Sequence, residues 1–123
     1  MREELLSKAK ENLEASQSCL DSGFYNVCAS RSYYVAFQAA IVALADKGKR
    51  SDKNSHRWVQ ATFSEELVRK RKVYPGKLKS YLMDMQIVRN QADYTRKQTS
   101  KKIASRQLAK AKEFVEAVEK EVN

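Results

Sequence analysis

The sequence predicts an all-α fold, an up-and-down four-helix bundle with a short accessory helix, and three observations carry that prediction. Glycine and proline are scarce, three and one in 123 residues, so few positions favour sharp turns. Ala, Leu, Lys, Glu, Arg and Gln are abundant, and all are good helix formers. Apolar residues recur at spacings of three and four along most of the chain, the period of a helix with one buried face. The length suits one domain, 1–123, able to close a single core but too short for two.

Leu5, Leu6, Ala9, Leu13, Ser16 and Leu20 form a stripe between charged residues, which predicts an amphipathic helix over 2–20. Glu3 and Glu4 suit the positive end of its dipole. Asp21-Ser22-Gly23 then breaks the pattern, and Gly23 is free to take a positive φ. From 24 to 46 the apolar residues surround the helix: Tyr33, Phe37, Ala40, Ile41 and Leu44 take one side, Val27, Tyr34, Val35 and Val42 the others. A helix apolar on all sides belongs at the centre. Its alanines let neighbours approach closely, and Gly48 is the expected carboxy-terminal cap.

Residues 47–57 contain no aliphatic side chain and read as an exposed loop, with Asn54 or Ser55 capping the next helix. Trp58, Val59, Thr62, Phe63, Glu66 and Leu67 give the accessory helix, which ends in Arg69-Lys70-Arg71-Lys72 before the turn Tyr74-Pro75-Gly76. Leu78, Tyr81, Leu82, Met85 and Val88 predict a helix over 77–94. A polar loop, 95–100, offers Thr99 or Ser100 as the last cap. The final helix buries Ile103, Gln107, Leu108, Ala111, Phe114, Val115 and Val118, with Lys112, Glu116 and Lys120 spaced for i,i+4 pairs on its outer side.

The formal charge of +9 is concentrated in the middle. Residues 48–82 hold ten Lys or Arg against three Asp or Glu, whereas 1–47 hold five against six. Such a region attracts anions, whether nucleic acid, nucleotide or an acidic protein surface. Met1-Arg2-Glu3-Glu4 leads straight into a helix, so a secretory leader is not expected. The most apolar run, 33–45, is shorter than the roughly 20 residues of a membrane span. A soluble cytoplasmic protein is the expectation. Cys19 and Cys28 are read as buried thiols in a reducing compartment, with a disulfide between adjacent helices as the alternative.

Metal, cofactor and phosphate-loop motifs are lacking: there is no HExxH, no Glu-x-x-His pair and no glycine-rich loop. The one histidine, His56, precedes the accessory helix and reads as a capping or incidental residue. Arg89-Asn90-Gln91-Ala92-Asp93-Tyr94 is different, because burial alone calls for no cation, amide, carboxylate and phenol at the end of an apolar pattern. Arg89 continues the Leu78, Leu82, Met85 face, and Asp93 lies one turn on, placed to pair with it. Asn90 and Tyr94 are spaced to share a hydrogen bond. Arg89 and Tyr94 diverge by about 140° on an ideal helix, so one pocket takes both only if the helix ends or kinks there, or a second subunit completes it.

Two stretches resemble the HEPN family, specifically its small stand-alone prokaryotic branch. Ser30-Arg31-Ser32-Tyr33-Tyr34-Val35-Ala36-Phe37-Gln38-Ala39-Ala40 is similar to the pattern SRxYYAxFHAA that opens the second helix there, and Arg89 to Tyr94 is similar to RxxADY near the end of the fourth. The resemblance implies a bundle that forms a homodimer through the helices carrying these motifs. It also implies a toxin–antitoxin arrangement with a minimal nucleotidyltransferase as partner, for which Tyr94 is the candidate modification site. Ribonuclease members carry a histidine after the arginine with four to six residues between; here Tyr94 stands at the first such position, and Gln38 replaces the histidine of the second-helix pattern.

Cleavage of RNA without a metal needs proton exchange near neutral pH, which imidazole performs and a phenol of ordinary pKa about 10 does not. The first expectation is therefore binding of nucleotide or RNA phosphate by Arg89, Asn90, Arg31, Lys49 and Arg50 in a dimer cleft, together with basic residues 49–57 and 69–72. Asp93, Tyr33 and Tyr34 are the expected supports, with Asp93 bonded to Arg31. A metal-independent ribonuclease using Arg89 and Tyr94 is the second reading, and a structural protein-interaction domain the third.

Overall fold

The structure is a computed structural model that describes residues 2–122; Met1, read above with the amino-terminal stretch, lies outside them. Helices α1 (Arg2–Asp21) and α2 (Tyr25–Asp46) form a hairpin. The short α3 (His56–Thr62) runs directly into a π-helical segment (Phe63–Lys70), and α4 (Gly76–Tyr94) and α5 (Lys101–Val122) complete the fold. The expected all-α bundle is present, with boundaries within two residues for the long helices. Gly23 and Gly48 take φ of 82° and 77°, the left-handed geometry that a helix exit favours. Ser55 Oγ accepts from the Trp58 amide at 3.1 Å and Ser100 Oγ from the Ile103 amide at 3.1 Å, so each caps its helix. Asn54, with φ 44°, turns the chain instead.

α2 is the centre, packed on α1, α5, α4 and the α3 segment. Tyr33, Val35, Ala36, Ala39, Ala40 and Ala43 are completely buried. As folded, the helix is longer than its most apolar run and is long and apolar enough, by length and composition, to cross a membrane. Two thirds of that window is buried inside the bundle, so its apolar surface is satisfied by neighbouring helices. Against α1 the fit is close: Ser16 Oγ lies 2.7 Å from Ser32 Oγ and 2.9 Å from the Cys28 carbonyl. Cys19 and Cys28 are free thiols, Cys28 buried, and burial pushes its thiol pKa up.

The bundle is lopsided. α4 packs broadly on α2 but barely touches α5, which leaves Met83, Ile87 and Tyr94 exposed on its outer side. The accessory helix departs from the α-helix its spacing predicts, because Phe63 and Leu67 are both fully buried, with Phe63 against Tyr74 and Phe114 at ring distances of 5.4 Å. The π-turns after Thr62 accommodate this packing. Nor, among the described residues, do Lys112, Glu116 and Lys120 pair with one another along α5. Its acids pair between helices, Glu113 with Lys77 and with Tyr81 Oη, and Glu119 with Lys10, because neighbouring helices bring those partners close.

Candidate functional site

Leu78, Leu82 and Met85 are buried on the inner face of α4, and Arg89 follows on the same face, so its side chain enters the bundle and is only 12% exposed. A guanidinium so placed needs partners. Nη2 donates to Tyr34 Oη at 2.6 Å and Nη1 to Asn90 Oδ1 at 3.2 Å. Nε lies 3.2 Å from Asp93 Oδ2, an ion pair in which the buried N–H is not aimed along a hydrogen bond. The charge also lies over two rings, with the guanidinium carbon 5.2 Å from the centroid of Tyr34 and 5.4 Å from that of Tyr94.

Tyr94 is the last residue of α4, and Thr95 is already extended, with φ −126° and ψ 171°. The length of the two side chains closes the angular divergence within one chain. The expected Asn90–Tyr94 bond gives way to the Arg89–Asn90 bond. Asp93 accepts from Ser30 Oγ at 3.0 Å, while Arg31 donates to Asn12 Oδ1 at 3.1 Å; the expected Arg31–Asp93 pairing is replaced because α1 supplies a nearer acceptor. Gln38 accepts from Asn12 Nδ2 at 3.0 Å, which turns it toward α1.

Ser30, Arg31, Tyr34, Asp93 and Tyr94, with Val27, line an open groove of about 650 Å³ between α2 and α4. Lys49 and Arg50 are elsewhere, in a recess with Ala45. Along α2 the two linings come closest at Tyr34 and Ile41, about 10 Å apart at 1.5 Å per residue, and they share no residue, so the two groups of cations line separate openings. Arg69 and Lys70 are paired with Glu65 and Glu66, and these partners hold both carboxyls below their usual range.

Tyr33 does not enter the groove. It anchors a half-buried polar relay for which the sequence offered no signal: Gln60 Nε2 donates to Tyr33 Oη at 3.2 Å and to Gln86 Oε1 at 2.6 Å, and Tyr33 Oη lies 2.7 Å from His56 Nδ1. Tyr33 Oη thus accepts from Gln60 and shares a second hydrogen bond with the His56 ring. His56 stacks on Tyr33 and packs on Phe37, at centroid distances of 5.5 and 4.5 Å. Burial first and the charge of Arg89 second lower its pKa, so the ring is neutral at pH 7. His56 is therefore a structural partner of α2, not an incidental cap. The Tyr33 and Phe37 stripe at one spacing and His56 in a distant loop gave no signal of this pairing.

A family model for the HEPN domain matches residues 2–121. The chain belongs to the HEPN family. No curated relative matches it. In this HEPN chain the motif arginine is held firmly beside an open groove, but a proton-transfer partner is not assembled there. Among the described residues, His56 does not line the groove, Asp93 is engaged by Arg89 and Ser30, and the Tyr94 hydroxyl has no partner.

Proposed function

We propose that this HEPN domain binds the phosphate of a nucleotide or RNA strand at the Arg89 groove, acting in the cytoplasm as a homodimer. The observation that supports the reading is Arg89, held by Tyr34, Asn90 and Asp93 directly behind a groove that Arg31, Tyr34, Asp93 and Tyr94 line and that Arg89 itself does not. A guanidinium already fixed by its neighbours loses little freedom on meeting a phosphate. Competition among Asp93, Tyr34 and the incoming anion sets a modest affinity, as for an exchangeable ligand. Val27, Met83, Ile87 and Tyr94 are exposed apolar groups on the α2 and α4 flank, and a second copy covering them would deepen the groove into a cleft.

The partner we propose is a minimal nucleotidyltransferase in a toxin–antitoxin pair, with Tyr94 as acceptor. Support comes from its 72% exposure at the groove wall together with the motif resemblance. Fluorescence anisotropy with a short labelled RNA tests the binding reading: Arg89→Ala should weaken binding at least tenfold, and unchanged binding would refute it. Cleavage of RNA in EDTA that disappears in Arg89→Ala would replace binding with catalysis. Ile87→Asp should convert dimer to monomer in sedimentation. Incubation with the transferase and ATP should add nucleotide mass to the peptide containing Tyr94.

A further inference from the structure

The other end of α2 carries a second recess, of about 330 Å³, outside the Arg89 groove. Ile41, Val42 and Ala45 of α2 and Trp58 of α3 give it apolar walls. Trp58 is the only tryptophan in the chain; it is half-buried, and among the described residues its indole N–H meets no acceptor. An indole offers both a flat stacking surface and a donor.

The rim is polar and unequally charged. Lys49 is tied to Glu66 at 3.4 Å, whereas Arg50 is exposed and has no carboxylate partner among the described residues. Asp52 and Asn54 complete the rim; the carboxylate accepts hydrogen bonds and the amide both donates and accepts.

We propose that this recess binds one nucleoside monophosphate unit, with its base against Trp58 and its phosphate on Arg50. Base–aromatic stacking suits the Trp58 wall, and guanidinium forks match phosphate oxygens. Asp52 and Asn54 face the edge of the base, where the exocyclic amino group of adenine, cytosine or guanine supplies the donor that a carboxylate requires. An acyl carboxylate would use the apolar walls and Arg50 but leave Asp52, Asn54 and the indole N–H without roles. The volume lies at the small end of ligand pockets and so selects a single nucleotide over a longer segment. The unit arrives either as a free mononucleotide or as the terminal nucleotide of an RNA strand. This assignment stands apart from the Arg89 groove and does not rest on the function proposed for it.

Trp58 fluorescence reads the site directly. Titration with AMP, CMP, GMP and UMP should give saturable quenching, strongest for the three bases that carry an amino group. Adenosine without its phosphate should bind at least tenfold more weakly, and Arg50→Ala should weaken AMP by a similar factor while circular dichroism stays unchanged. Saturation by a 5′-phosphorylated trinucleotide but not by mononucleotides would assign the unit to a strand end. Quenching by neither, quenching indifferent to Arg50→Ala, or quenching abolished by Arg89→Ala would overturn the assignment. Asp52→Asn should reduce the preference for amino-bearing bases; an unaltered preference together with an unaltered affinity in Arg50→Ala excludes the recess.

Discussion

The two ends of α2 hold arginine in opposite ways. Arg89 is 12% exposed, fixed by a phenol, an amide and a carboxylate, and lies over two aromatic rings. Arg50 stands exposed on a loop without a carboxylate partner. The first gives up part of its charge to Asp93 but loses little freedom on binding. The second keeps its full charge, and a ligand meeting it would have to order it. A net charge of +9 therefore says less about binding than the way each cation is held, and the contrast between 12% and an open loop is what separates a rigid site from an adaptable one.

The sharpest break in this comparison is Arg89. Replacing it by Ala should cost at least tenfold in RNA affinity and also lower the melting temperature, because Asp93 and Tyr34 lose their shared partner. Arg89→Lys should restore little, since a single ammonium cannot reach Tyr34, Asn90 and Asp93 with one planar fork. Calorimetric and anisotropy measurements on the same variants separate the two losses. Arg50→Ala, by contrast, should leave the melting temperature unchanged.

Next in size is the relay behind the groove. Tyr33→Phe removes the hydroxyl between Gln60 and His56 and should destabilise the fold by about 1–2 kcal/mol, read from urea unfolding. If stability is unchanged, the relay does not support α2. A smaller effect follows from His56. Its folded pKa lies below the ordinary value of about 6.5 because burial and Arg89 disfavour the charged ring. On acidification the unfolded chain takes up the proton first, so the contribution is fully present above about pH 6.5 and is lost as pH falls through the folded value. As the only histidine in the chain, it should account for the slope of stability between about pH 6.5 and pH 5, and His56→Gln should flatten that slope. The smallest effect belongs to Arg69→Ala: its pair with Glu65 is exposed, and thermal unfolding should not change measurably.

Helix order, the central place of α2, the two caps to within one residue each and the inward face of Arg89 were legible in the sequence because each rests on local spacing and residue chemistry. The i,i+4 relation of Arg89 and Asp93 was legible for the same reason. Residues brought together from distant parts of the chain were not. Arg31 turned to Asn12 of α1, and His56 met Tyr33, because hydrogen-bonding partners are chosen by the packing of helices and not by distance along the chain.

By itself the sequence determined an all-helical fold, the family and one polar cluster at the end of α4. Only the tertiary structure decided that Lys49 and Arg50 line a recess that shares no residue with the groove, that α4 leaves an apolar flank exposed, and that the Tyr94 ring meets the guanidinium of Arg89. The physical reason is the same in each case: helix periodicity sets which face a side chain occupies, while the length of α2 and the lopsided packing around it set which faces meet.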